Sequence, residues 1–323
     1  FSKGGREKGG RGRSPFRKGG VGGGFLLLLL PLTLLAQEPP AQPATEPAPA
    51  LPRVHVVATG GTIAGSGYQG VEARESQDLV EAVPLLAQVA RVSSSDLFNV
   101  PSSQLTSENL GQIHQEVERL LDDPELAGVV VTQGTDSLEE TAFLLDLLHD
   151  HERPVVVTGA MRLPVEQGAD GPRNLLNAVH LAATPEARGL GVLVVMNERV
   201  HGARAVRKVE SRNLDAFESA LVGPLGWFDG GDLFLPRRPV QRLTLSPTAL
   251  EPRVAIVPLA IGSDGSLIEA AVAAGAQGVV VDAFGRGNLP RPVVGAVAQA
   301  LEKGVTVVVT TRTGSGRGAA WPT

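Results

Sequence analysis

The chain has 323 residues, of which 42% are hydrophobic and 20% are charged, a composition typical of a soluble globular protein with room for two domains. Its formal net charge is −5, so the body of the protein has no electrostatic footprint for nucleic acid or for an anionic membrane surface. The absence of cysteine excludes disulfides, thiol nucleophiles and cysteine-based metal sites.

Residues 1–36 have the order of a secretory signal peptide, in which a basic stretch is followed by an apolar run from Phe25 and then by polar residues. The apolar run is too short to span a bilayer as a helix, so no stable membrane anchor is expected. The cleavage site is imperfect, because Leu34 stands where a small residue is preferred. An upstream translation artefact is the alternative, because the sequence starts with Phe1 and its first twenty residues are rich in Gly and Arg. Residues 37–52 are rich in Pro and Ala and are predicted to form an extended linker. A periplasmic or secreted location is therefore expected.

Short Val-rich runs alternate with helical stretches from residue 53 onward. The runs are apolar throughout, which is typical of strands buried on both faces. They occupy residues 54–58, 128–132, 154–159, 191–196, 253–257, 278–283 and 305–311. Alternation of this kind, with few hairpin signals, predicts an α/β fold with a parallel sheet.

A proline-rich stretch at 237–252 divides this body into two unequal parts. We expect a large N-terminal parallel-sheet domain at 53–236 and a second, smaller α/β domain at 253–323. The six histidines show no spacing typical of paired metal ligands, so no metal is expected. His149 and His151 are interpreted as solvated residues near a helix end.

Glycine and threonine collect where three of the predicted strands end, at residues 58–65, 131–136 and 158–161. Parallel sheets bind ligands beyond the carboxyl ends of their strands. Glycines there let the backbone approach a ligand and present N–H donors. Asp136 supplies a carboxylate for a cationic group. The three strand ends therefore predict a pocket for a small zwitterion, with a hydroxyl facing a carbonyl carbon.

Two ordinary interpretations compete with this one. A glycine-rich turn after a first strand usually binds phosphate or a dinucleotide, but residues 59–62 lack the G-x-G-x-x-G spacing and the Gly-Lys-Ser/Thr ending. A single Gly-Thr at a strand end is more often a turn or a helix cap than a nucleophile. Spacing alone leaves the reaction open.

Four motifs, in their order and separation, resemble those of the bacterial asparaginase/glutaminase-asparaginase family over about residues 53–312. They are Thr59–Ala64, Gln133–Asp136, Thr158–Met161 and Ala169–Pro172. Matches at 223–226 and 287–288 favour its secreted, type II branch. The resemblance implies an L-asparaginase that converts L-asparagine to L-aspartate and ammonia, with glutaminase as a side activity. It also implies a homotetramer and no cofactor.

Carried over residue by residue, the resemblance implies that Thr62 is the primary nucleophile. Thr135, Asp136 and Lys208 match a second catalytic group, in which a threonine hydroxyl is linked to a lysine and an aspartate. Because a threonine hydroxyl is a weak nucleophile, it needs a nearby proton acceptor, and a lysine kept partly neutral by burial would serve. Which threonine is acylated first stays open at this point.

The resemblance also implies a set of substrate-binding residues. Ser103 and Gln104 would hold the α-carboxylate and α-amino groups of the substrate, and the backbone carbonyl of Ala160 would accept from its side-chain amide. N–H groups of the Gly134–Thr135 turn would stabilise the oxyanion. Asn288 completes the set of substrate-binding residues.

Two departures from the family pattern keep other hypotheses open. Tyr68, the only tyrosine, follows Thr62 by six positions and is either the catalytic tyrosine of a shortened first loop or an ordinary loop residue. Residues after Gly316 do not resemble the family's continuation, so the C-terminal domain is expected to be truncated. These departures motivate a catalytically weak or inactive amino-acid-binding descendant as the alternative. An archaeal-type amidotransferase subunit is a third hypothesis, which the signal-like segment disfavours.

Overall fold

The computed structural model describes residues 50–65, 69–239 and 242–318. The signal-like segment, most of the predicted linker at 37–52, and Tyr68 lie outside the described residues. No described helix combines the length and the apolar character needed to cross a bilayer.

The larger part of the described chain contains ten strands. They are β1 (Arg53–Ala58), β2 (Arg91–Asp96), β3 (Leu126–Thr132), β4 (Val155–Thr158), β5 (Val192–Met196), β6 (Arg199–Gly202), β7 (Arg207–Lys208), β8 (Phe217–Glu218), β9 (Gly226–Asp229) and β10 (Asp232–Phe234). Eight of them form one sheet in the order β10-β9-β6-β5-β4-β3-β1-β2, while β7 and β8 form a separate antiparallel pair.

Five helices cover the eight-stranded sheet, and both faces of its central strands β3, β4 and β5 are buried. The helices are α1 (Ser76–Glu81), α2 (Leu86–Val89), α3 (Ser107–Leu121), α4 (Leu138–Leu148) and α5 (Gly171–Ala183). Val156 belongs to a core cluster with residues of α1, α2 and α5, whereas Val155 and Val157 belong to a second cluster with residues of α3 and α4. Successive strand residues point to opposite faces, which explains why the runs are apolar throughout.

The predicted α/β class is confirmed, and the sheet is mixed rather than purely parallel. The strands β2, β1, β3, β4 and β5 are parallel, whereas β6, β9 and β10 pair in antiparallel fashion at one side. The hairpin between β5 and β6 turns on Asn197 and Glu198, both with positive φ. A glutamate replaces the glycine that usually marks such a turn, so the sequence signal is weak.

A smaller parallel sheet follows, with β11 (Val254–Pro258), β12 (Gly278–Ala283) and β13 (Thr306–Thr311) in that order. Helices α6 (Ser266–Ala273) and α7 (Arg291–Glu302) pack on one face, where Val257 and Val281 are buried. On the other face Ile256 is 73% exposed, and the neighbouring valines of β11 and β13 are also exposed. The prediction of burial on both faces is therefore wrong for this sheet in the described residues. The predicted domain boundaries, 53–236 and 253–323, stay predictions.

The charged side chains of Asp146, Arg204 and Arg242 hold the segment between the two sheets against the larger sheet. We call these three residues the arginine clasp. Asp146 in α4 is 4% exposed and accepts from Arg204 Nε at 2.6 Å. Its other carboxylate oxygen accepts from the Val192 N–H and lies 3.3 Å from Arg242 Nε. Arg242 belongs to the connecting segment, so the clasp ties that segment to the end of α4.

His149 corrects one expectation. It follows α4 and is buried, with Nε2 2.9 Å from the Arg153 carbonyl oxygen. Arg242 donates to the His149 carbonyl at 2.9 Å, so the connecting segment packs over this helix end. The prediction of a solvated His149 is therefore wrong. His151, by contrast, is partly exposed, and its Nε2 lies 3.2 Å from Glu118 Oε2.

Candidate active site

The carboxyl ends of β1, β3 and β4 lie level with one another at one edge of the larger sheet. Ala58 pairs with Thr132, and Thr132 pairs with Thr158, so the three strands end in register. Beyond the strands, the Thr59 hydroxyl donates to the Thr132 carbonyl at 2.9 Å. The Gln133 N–H donates to the Thr158 carbonyl at 2.9 Å. The three glycine- and threonine-containing motifs that follow these strands are thus adjacent in space.

The first two motifs touch through their glycines. Gly61 has φ +87° and ψ −172°, a backbone conformation that is essentially restricted to glycine. A Cβ at Gly61 would lie 2.2 Å from the Gly134 nitrogen, so no larger residue fits this contact. Thr62 and Thr135 each directly follow one of these glycines. The contact therefore brings the two candidate nucleophiles to the same point of the sheet edge.

Lys208 completes a cluster with the second motif. Its Nζ donates to Thr135 Oγ1 and to Asp136 Oδ1, at 2.9 Å in each case. Thr135 is buried, the Lys208 side chain is 16% exposed, and the Asp136 side chain is 62% exposed. Lys208 comes from β7, 72 residues after Asp136. A hydroxyl, an amine and a carboxylate joined in this way can pass a proton to or from a reacting group.

Ser102 is a site residue that sequence reasoning missed. It is buried at the start of a short 3-10 turn, Ser102–Gln104, and its Oγ accepts from the Asp136 N–H at 3.1 Å. Its carbonyl accepts from the Ser137 hydroxyl at 2.8 Å. A Cβ at Gly134 would lie 2.5 Å from Ser102 Oγ. Ser102 therefore fixes the Gly134–Ser137 turn, while the predicted substrate ligands Ser103 and Gln104 are exposed beside it.

Asp170 and Asn174 were also missed as site residues, and they shape the third motif. Asp170 accepts from the N–H groups of Met161 and Arg162, at 3.0 and 2.9 Å. The Asn174 amide donates to the Gly159 carbonyl at 3.0 Å. Between these anchors Ala160 is fully buried, so the role of its carbonyl in accepting from a substrate amide stays a prediction. The Asp-Gly-Pro sequence at the start of α5 was the available signal.

Three further predicted residues, Thr62, Asn288 and Tyr68, remain to be placed. Thr62 lies at the start of the partly buried 3-10 turn Thr62–Ala64. Asn288 is exposed in a turn of the smaller sheet, where its N–H donates to the Phe284 carbonyl at 2.8 Å. Tyr68 lies outside the described residues. Within the described ranges, no group of three or more histidine, aspartate and glutamate side chains is arranged to hold a metal ion.

The fold and the cluster define an α/β protein with a hydroxyl–amine–carboxylate site at the carboxyl ends of parallel strands. The chain belongs to the asparaginase family: the family model "Asparaginase, N-terminal" matches residues 53–241, and "Glutaminase/Asparaginase C-terminal domain" matches residues 253–321. The recognition of the bacterial type II branch from its motifs is confirmed.

Curated relatives and a solved structure agree with this assignment. L-asparaginase 2 of Bacillus subtilis (strain 168) is 39% identical over 279 residues, covering 82% of this chain and 74% of that protein. The glutaminase-asparaginase of Pseudomonas fluorescens biotype A is 34% identical over 306 residues, covering 90% and 82%. The crystal structure of a probable cytoplasmic L-asparaginase from Campylobacter jejuni superposes with a TM-score of 0.78 at 33% identity, covering 84% of this chain and 86% of that chain.

Proposed function

We propose that this chain hydrolyses the side-chain amide of L-asparagine to L-aspartate and ammonia, with Thr62 as the nucleophile. The observation that carries the proposal is the Lys208 amine, which lies 2.9 Å from both Thr135 Oγ1 and Asp136 Oδ1. Thr135 directly follows Gly134, and Gly134 contacts Gly61, the residue directly before Thr62. The names of the relatives supply the substrate class.

The reaction proceeds in two steps. The Thr62 Oγ attacks the amide carbon and loses its proton, the C–N bond breaks, and the protonated nitrogen leaves as ammonia. Water then attacks the acyl ester, which releases L-aspartate and restores the threonine hydroxyl. Thr135 and Lys208 act as the proton relay for both steps, because the threonine hydroxyl and the lysine amine are already hydrogen-bonded.

Asp136 and its neighbours bind the rest of the substrate in this proposal. The exposed Asp136 carboxylate pairs with the α-ammonium group, and the exposed Ser103 and Gln104 hold the α-carboxylate and α-amino groups. The Gly134–Thr135 turn supplies N–H donors to the oxyanion, and Asn288 contributes from the smaller domain. Glutaminase activity accompanies the main reaction, as the name of the P. fluorescens relative suggests.

Ammonia release from L-asparagine tests the proposal, with the purified chain compared with Thr62→Ala and Lys208→Met. We expect each substitution to lower kcat by about 10²- to 10⁴-fold, the usual loss when a nucleophile or an acid–base group is removed. The matched control is Lys303→Met, a change at an exposed lysine of the smaller domain. Tight binding of L-asparagine by the wild-type chain without turnover would instead support the amino-acid-binding alternative.

Export and assembly are separate parts of the proposal. The signal-like segment at 1–36 supports a periplasmic or secreted location, and the N-terminal sequence of the mature protein tests it. An uncleaved chain found in the cytoplasm would contradict export and would match the cytoplasmic location named for the C. jejuni protein. The homotetramer implied by the resemblance is tested by light scattering of the purified protein.

A further inference from the structure

The backbone of Lys208 is held by a carboxylate from the helix that follows Thr135 and Asp136. The Lys208 N–H donates to one carboxylate oxygen of Glu139, in the first turn of α4. The other oxygen lies 3.8 Å from Arg207 Nε. The Glu139 side chain is only 26% exposed, so most of it is shielded from water. We infer that Glu139 is the positioning residue that sets the location of the Lys208 amine, an inference that rests on the proposed function.

The strand that carries Lys208 needs such an anchor. It has two residues and, among the described residues, pairs as a strand only with the two residues of β8, where Lys208 is opposite Phe217. A two-stranded ribbon is marginally stable without packing or side-chain support. Glu139 supplies that support from α4, whose first residue, Leu138, is fully buried.

Both ends of Lys208 therefore depend on one short segment. Thr135 and Asp136 accept from its Nζ, and Glu139 accepts from its backbone N–H. These acceptors all lie within residues 135–139. The distance between the Thr135 hydroxyl and the Lys208 amine therefore depends mainly on the conformation of this one segment. Displacement of a catalytic group by about 1 Å is enough to lower a rate by about 100-fold.

Glu140 provides a matched control. It is the next residue in the same helical turn, carries the same charge near the same helix N-terminus, and is exposed. Replacing either glutamate removes the same favourable interaction with the helix dipole. A difference between the two variants therefore reports the contacts that Glu139 makes with Lys208 and Arg207.

The experiment compares Glu139→Ala, Glu139→Gln and Glu140→Ala for steady-state ammonia release and for thermal unfolding. We expect Glu139→Ala to lower kcat by about 10- to 100-fold, with a much smaller change in KM, because the proton relay is displaced while substrate binding persists. Glu139→Gln keeps an acceptor oxygen and should recover part of the loss. Glu140→Ala should retain wild-type kcat.

A second comparison places Glu139→Ala in the Lys208→Met background. If Glu139 acts through Lys208, Glu139→Ala should lower kcat no further in the Lys208→Met background. If Glu139 has an independent structural role, Glu139→Ala should lower kcat in both backgrounds. Equal kcat for Glu139→Ala and Glu140→Ala would overturn the inference while leaving the proposed function intact. Wild-type kcat in Lys208→Met would instead overturn the role of Lys208 itself.

Discussion

The contact between Gly61 and Gly134 makes a prediction at the scale of single residues. Gly61→Ala forces a Cβ to within 2.2 Å of the Gly134 nitrogen and places alanine at φ +87°. We expect the free energy of unfolding to fall by about 3 kcal/mol or more, since backbone strain and steric overlap add. Urea denaturation measures the loss, and ammonia release should fall with it because Thr62 is displaced.

Gly70→Ala is the control for this prediction. Gly70 has φ +78°, and a Cβ there would meet nothing within 4 Å. It therefore reports backbone strain without overlap, which costs about 1–2 kcal/mol. Equal losses for the two variants would show that the Gly61 backbone can move away from Gly134.

The candidate site was predictable from sequence where its residues lie in one segment. Thr135 and Asp136 follow a buried strand, and the rule that ligands bind at strand ends selects them. Lys208 joins them from 72 residues away, and only the family resemblance indicated it. Ser102 acts through hydrogen bonds to residues 34 and 35 positions later. Such contacts depend on the packing of distant loops, so no local pattern reveals them.

At the scale of elements, the arginine clasp makes a second prediction. Asp146→Ala leaves Arg204 and Arg242 close together, with no carboxylate between them. Removing one partner of a buried ion pair typically costs about 3–5 kcal/mol, because the remaining charge is uncompensated. Urea denaturation should show a loss of this size, and Asp150→Ala, at a nearby exposed aspartate, should change stability little. A loss below about 1 kcal/mol would mean that water solvates the two guanidinium groups.

The strands divide into those that sequence predicts and those that it does not. All seven Val-rich runs became strands; in the larger sheet the continuous apolar residues are buried on both faces, whereas in the smaller sheet one face stays exposed in the described residues. β2 carries three serines and was not predicted, because it is an edge strand whose side chains are largely exposed or half-buried. The hairpin strands β6, β9 and β10 were not predicted either. They are short, and short strands leave little periodicity to detect.

For the whole molecule, two buried histidines predict how stability depends on pH. Burial is the main cause that lowers the pKa of both His149 and His201 to about 4, and Arg242 and Arg199 respectively lower it further. In the unfolded chain both residues titrate near pH 6.5. Between these values the unfolded chain binds protons that the folded protein does not. The free energy of unfolding therefore falls as the pH is lowered from about 6.5 to about 4.

Each of these histidines should contribute up to about 3 kcal/mol to this fall. Urea denaturation across the pH range measures the slope. His149→Gln and His201→Gln should each flatten it, and His114→Gln, at a partly exposed position, serves as the control. An unchanged slope in both variants would show that other groups control acid unfolding.

The turn at Ser102–Gln104 also has a consequence for protein engineering. Ser102 is buried, and it accepts hydrogen bonds from the Asp136 N–H and the Ser137 hydroxyl. Ser103 and Gln104 are exposed. Positions 103 and 104 can therefore be randomised together, with serine kept at 102, without disturbing the segment that carries Thr135. A library of this design would search for altered binding of the α-carboxylate and α-amino groups of the substrate, while the hydrogen bonds from position 102 to Asp136 and Ser137 are kept.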